Sequence, residues 1–173
     1  MLVLILHHIV ADGVSMQVLV DELIHCYVAH SQGQPAVLGE LPIQYADYAI
    51  WQRHWMEAGE RERQLGYWVK QLEGEQTLLE LPCDHLRPAQ QSFAGARVEI
   101  PVSAGVAAGI RQLAQREGVT PFMVLLASFQ ALLHRYSGQN DIRVGVPIAN
   151  RNRSEVEGLI GFFVNTQVLK AEF

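Results

Sequence analysis

The feature that most constrains the fold is the opening run Leu2-Val3-Leu4-Ile5-Leu6, apolar at every position and followed at once by His7-His8. A strand with one solvated face alternates apolar and polar residues, whereas an unbroken apolar run of this length reads as a strand buried on both faces of a helix-covered sheet. Downstream, Met16, Leu19, Val20, Leu23, Ile24, Tyr27 and Val28 recur at helical spacing. Ser15 is the expected cap of that helix and Gly33 its stop. The first unit is therefore predicted as strand, His-rich loop, helix. Because a chain seldom begins inside a buried strand, the N-terminus is expected to be cut.

The turn-rich residues 31–42 lead to a helix bearing Tyr45, Tyr48, Ala49, Trp51, Gln52 and Trp55, then to another with Leu65, Trp68, Val69 and Leu72. Core packing accounts for those aromatics. From 74 to 92 the periodicity lapses amid prolines and polar residues, and a lobe boundary is placed near residue 90, dividing 1–90 from 91–173. Beyond it, Arg97-Val98-Glu99-Ile100 reads as a strand. Helices are predicted over 103–117, stopped by Gly118, and from Thr120-Pro121 to Tyr136, stopped by Gly138. Residues 141–148 read as a strand, 150–158 as a polar loop and 162–169 as a final strand, reached so near the end that the C-terminus is expected to be cut as well.

With 49% hydrophobic and 18% charged residues, the 173-residue chain has the composition of a globular protein. A net charge of −5, with no cluster of lysine or arginine, argues against a nucleic-acid backbone as partner. No apolar run approaches the roughly 20 residues of a membrane span, so no membrane partner is expected. Two cysteines, Cys26 and Cys83, are too few for a disulfide framework or zinc ribbon, which fits a reducing cytoplasm.

A histidine between a buried strand and a helix is held rigidly while its ring faces a cleft, the placement a general base needs. Neighbouring side chains on an extended chain point to opposite sides, so one of His7 and His8 is expected to do chemistry and the other to support it. Asp12 is suited to fix the turn by accepting backbone N–H bonds or pairing with an arginine, while Gly13 allows positive φ or close approach of a substrate. His25, His30, His54, His85 and His134 read as ordinary surface or core histidines. A metal held by His8 and Asp12 lacks a third ligand at useful spacing, and no Gly-x-Ser-x-Gly elbow supplies a nucleophilic serine. The residues alone favour a histidine-dependent transferase without a covalent protein intermediate.

The run His7-His8-Ile9-Val10-Ala11-Asp12-Gly13 resembles the His-His-x-x-x-Asp-Gly motif of condensation domains of nonribosomal peptide synthetases, within the chloramphenicol acetyltransferase-like superfamily. Tyr45-Ala46-Asp47-Tyr48-Ala49-Ile50-Trp51 is similar to that family's Tyr-x-Asp-Tyr-Ala-x-Trp motif, and Ile160-Gly161-Phe162-Phe163-Val164-Asn165-Thr166 to its Ile-Gly-x-Phe-Val-Asn-Thr motif. Residues 136–141 and 145–151 also read like this family. The resemblance implies a two-lobed α/β sandwich of chloramphenicol acetyltransferase type, of which the chain is a fragment covering the end of the first lobe and the start of the second.

By the same resemblance, the function expected is amide-bond formation between a carrier-bound donor aminoacyl or peptidyl thioester and the amine of a carrier-bound acceptor amino acid. His8 matches the motif's second histidine and is expected to be catalytic. His7 and Asp12 are expected to shape the loop, and the Gly13 N–H to donate to an oxyanion. Ser15 and Asn165 are expected along the substrate tunnel. No cofactor is expected to be bound by this chain; substrates arrive on the 4′-phosphopantetheine arms of upstream and downstream peptidyl carrier domains, with an adenylation domain adjoining. An epimerization domain carries a similar His loop without the Tyr-x-Asp-Tyr-Ala-x-Trp run and is the nearest alternative. A non-catalytic domain that only docks carriers is another.

Overall fold

A computed structural model describes residues 2–74 and 78–173. Met1 of the opening run and residues 75–77 of the predicted lapse lie outside the described residues. The elements are α1 (Gly13–Ser31), α2 (Tyr45–Trp55), a π-helical segment (Met56–Glu60), α3 (Arg61–Gln71), α4 (Ala104–Glu117), α5 (Pro121–Ser137), β1 (Asp141–Ile148), a short α6 (Ser154–Glu157) and β2 (Asn165–Glu172). No helix among the described residues is long and apolar enough to cross a membrane.

The chain divides into two compact units, Met1–Gly74 with Gly145–Gln167, and Glu75–Val144 with Val168–Phe173. Neither is a contiguous stretch of the chain. β1 and β2 form a two-stranded sheet. The Phe173 N–H bonds Asn140 O, and a side chain at Gly145 would meet Thr166, so the strands run antiparallel.

The first unit is organised around a small buried cluster of Tyr48, Val156, Leu159 and Phe163, flanked by Ile43 and Tyr45. α2 delivers Tyr45 and Tyr48 one turn apart, and its start is fixed by Asp47 Oδ2, which accepts the Gln44 N–H at 2.8 Å. Four-residue α6 lies within the stretch expected to be a polar loop; it forms because Val156 has a core to enter. In the second unit α4 packs against α5, with Ala114, Leu133 and Ile142 buried. Ser103 caps α4 through the Val106 N–H and Gly118 ends it in the left-handed conformation at φ 65°. Thr120 caps α5 through the Met123 N–H, Pro121 opens it, and Gly138 closes it at φ 68°.

Three expectations are corrected. Residues 2–6 are solvent-exposed and are not a strand, because no described segment lies alongside to pair with them. Residues 97–100 are likewise unpaired and exposed. The closing strand starts at Asn165 rather than Phe162, since the peptides of residues 161–163 spend their polar groups on side chains of the first unit rather than on a ladder.

Candidate active site

The loop before α1 turns tightly at His8, closed by the Val10 N–H to His7 O bond of 3.1 Å. That turn sends the two rings to different work. The Ile9 N–H donates to His7 Nδ1 at 3.1 Å, so the Nδ1 lone pair of His7 is occupied by the backbone and a neutral ring carries its proton on Nε2. His8 Nδ1 lies 2.7 Å from Ala11 O. A carbonyl only accepts, so His8 Nδ1 must hold the proton, and the neutral ring presents a bare lone pair on Nε2. The two histidines are thus set in opposite tautomers, and His8 is the one left with a free basic nitrogen. Its ring meets Phe162 edge-on, centroids 5.3 Å apart and planes at 87°.

Asp12, not Ser15, is the N-cap of α1: its Oδ1 accepts the Ser15 N–H at 2.8 Å, and Gly13 begins the helix. Asp12 takes the capping role because its carboxylate reaches the third helical N–H, which leaves Ser15 inside the first turn. Oδ2 accepts the Phe163 N–H at 3.0 Å, and Oδ1 also pairs with Arg151 Nη2 at 3.1 Å. Asp12 is 1% exposed. Burial by itself would raise its pKa, but the hydrogen bonds from Ser15 N–H, Ser15 Oγ, Phe163 N–H and Arg151 outweigh it and bring the carboxyl down to about 2.

Ser15, expected along a tunnel, is instead wholly buried at this junction. Its Oγ lies 2.8 Å from Asp12 Oδ1 and 2.7 Å from Gly161 O, either of which takes its one proton. It accepts from the Gly161 N–H at 3.0 Å and Arg151 Nη2 at 2.8 Å. A hydroxyl that saturated has nothing left for a substrate.

Arg151, at which no sequence signal points beyond its place in a family-like stretch, is the partner of Asp12. Asn150 turns the chain at φ 55°, a left-handed conformation that asparagine tolerates, just before it. The guanidinium then lies 4.1 Å over the Phe163 ring, and Nη1 donates to Val156 O at 2.5 Å and Leu159 O at 2.8 Å. Phe162 is equally inconspicuous in the sequence, since it falls at the unspecified position of the Ile-Gly-x-Phe-Val-Asn-Thr pattern.

Gly13 does not have a positive φ, which removes one of the two roles expected of it, and the space where a Cβ would stand is open. Among the described residues the Gly13 and Val14 N–H groups at the helix start have no acceptor, while the third is taken by Asp12. Asn165 is exposed, with its Oδ1 accepting the Thr166 N–H at 2.8 Å. It lines an open cleft of about 500 Å³ with Trp51, Trp55, Tyr67 and Arg153, in which no residue of the His loop takes part. The structure therefore brings together His8, Asp12, Gly13 and Ser15 but sets Asn165 in another concavity.

A family model described as Condensation domain matches residues 1–173. The chain belongs to the condensation-domain family. It is 48% identical over 166 residues to malpinin synthetase of Mortierella alpina, covering 96% of this chain and 2% of that one. It is 47% identical over 171 residues to chondramide synthase of Chondromyces crocatus, covering 99% of this chain and 4% of that one. Among solved structures it is similar to the X-domain from teicoplanin biosynthesis, with TM-score 0.84, 28% identity and coverage of 96% of this chain and 38% of that one. It also superposes on the epimerization domain from the third module of tyrocidine synthetase B, TM-score 0.82 at 19% identity over 96% of this chain and 39% of that one, a likeness that shows the fold alone. The fold is α/β, of the chloramphenicol acetyltransferase-like class, and the chain spans a few per cent of the length of the curated relatives it matches.

Proposed function

We propose that this chain carries the catalytic loop of a domain that joins a carrier-bound donor thioester to the amine of a carrier-bound acceptor amino acid, and that His8 is its base. The observation that supports this reading most is the Ala11 O contact that fixes the His8 tautomer with Nε2 as acceptor. In the proposed reaction the acceptor nitrogen attacks the thioester carbon, the C–N bond forms, the C–S bond breaks, and the thiol leaves. A free α-amine has a pKa near 8, so presenting it neutral at pH 7 costs only about 1.4 kcal/mol. The harder moment is the tetrahedral intermediate, in which nitrogen must lose a proton while the oxygen carries charge. His8 Nε2 takes that proton, and it passes to the departing sulfur. The unclaimed Gly13 N–H is suited to the oxyanion. His7 and Asp12 act on geometry: one caps the turn, the other ties the loop to Arg151 and Phe163.

The substrates in this reading arrive on 4′-phosphopantetheine arms of upstream and downstream carrier domains, with an adenylation domain adjoining, and the chain itself holds no cofactor. A dipeptide-transfer assay with pre-loaded carriers, run on the full-length protein, tests the role of His8. His8→Ala is expected to lower turnover by roughly 10²–10⁴-fold while both carriers still bind. Turnover within about threefold of the parent overturns the assignment.

A further inference from the structure

We infer that Phe162 is a positioning residue for His8, a role that rests on the reading of His8 as the base. The Ala11 carbonyl holds the His8 ring by one atom, Nδ1, which fixes the tautomer. One contact does not by itself stop the ring from swinging about its Cβ–Cγ bond. The Phe162 ring stands against it at 5.3 Å and 87°, edge to face, and closes off that rotation.

Phe162 is fitted for this because its backbone is anchored on both sides and at its own carbonyl. Ser15 Oγ engages both polar groups of Gly161, Tyr45 Oη donates to Phe162 O at 2.7 Å, and Asp12 Oδ2 takes the Phe163 N–H. Four contacts to residues from the His loop, α1 and α2 thus place one aromatic ring beside one histidine. Core packing does not explain that ring. Phe163, its neighbour, is 3% exposed in the buried cluster, whereas Phe162 is 38% exposed. A large apolar side chain on an anchored backbone, partly exposed rather than in the buried cluster and packed in a T-shaped contact against the basic ring, acts on that ring.

The consequence is kinetic. A ring free to swing spends less time with Nε2 aimed at the attacking amine, which lowers the rate of the bound complex without weakening the grip on either carrier. In the full-length protein, Phe162→Ala is expected to reduce kcat about tenfold with KM for both loaded carriers within twofold, and Phe162→Tyr, which keeps the aromatic edge, to recover most of the rate. Phe162→Leu keeps bulk without an aromatic edge. It serves as the readout if the alanine variant melts early, and it must show the same loss in kcat at unchanged KM. Unchanged kcat in the alanine and leucine variants, a rise in KM that accounts for the loss, or equal loss in the tyrosine variant each overturn the inference. His8→Ala is measured alongside. Full turnover there removes the reading of His8 as base, whereas His8-dependent turnover that ignores Phe162 removes this inference alone.

Discussion

Gly161 is the residue at which the motifs of this chain touch. A Cβ added there would stand 2.1 Å from the Tyr45 ring, so the glycine is required by close approach of a neighbour and not by its own backbone angles, which are not in the left-handed region. Gly161→Ala is expected to displace Tyr45, break its bond to Phe162 O and destabilise the first unit by about 1–3 kcal/mol, the usual cost of overpacking. Thermal melting checks this, and a cycle with Tyr45→Ala separates clash from lost contact. With the ring gone, the alanine at 161 should cost little, giving a non-additive pair. Additive losses would show that Tyr45 is not the obstacle. Much of this is legible only as letters: the glycine and both tyrosines sit in recognisable runs, but nothing in one dimension says that residues 45 and 161 meet. Arg151 and Phe162 are illegible for the same reason, since each owes its role to residues more than a hundred positions away.

At the scale of elements, what can be read is what the chain determines locally. α4 and α5 lie where Ser103, Gly118, Thr120-Pro121 and Gly138 place them, because caps and left-handed stops act within a few residues. Strands are less legible, since a strand exists only by pairing: β1 has β2 beside it, while residues 2–6 and 97–100 have no described neighbour. The cap of α1 lies three residues before the expected Ser15 because aspartate and serine both cap, and here the Asp12 carboxylate is the one that accepts the third helical N–H. That Asp12 cap carries a pH signature. Its carboxyl falls from the ordinary 3.8 to about 2 on folding, so ionised Asp12 stabilises the fold fully above about pH 4, and the gain is lost as pH falls through about 2. The contribution is about 2 kcal/mol. Asp12→Asn cannot titrate, so its stability deficit against the parent should shrink by that amount between pH 4 and pH 2 in urea unfolding. A deficit constant across the window would mean that Asp12 does not draw its stability from being charged.

At the scale of the whole molecule, the balance between buried and exposed apolar surface decides how the 173-residue polypeptide behaves by itself. Among the described residues the buried hydrophobics are few, while Leu2, Val3, Leu4 and Ile5 stand in solvent, Leu86 is 98% exposed, and α5 shows Phe122, Leu125, Phe129 and Leu132 on its surface. Isolated exposed leucines are ordinary, but a contiguous apolar segment and an apolar helix face are not. At about 25 cal/mol per Å² of apolar area, even roughly 400 Å² left uncovered forfeits about 10 kcal/mol, comparable with the entire stability of a typical domain. Residues 2–6, outside any strand or helix, add backbone groups without a ladder, which favours pairing with other copies. The polypeptide of residues 1–173 is therefore expected to self-associate, bind hydrophobic dyes and melt without a sharp transition, and to be inactive in the dipeptide-transfer assay. Sedimentation velocity across a concentration series, with calorimetry on the same samples, checks this. A monomer at every concentration with one cooperative melt overturns the expectation of association, and His8-dependent turnover by this polypeptide overturns that of inactivity.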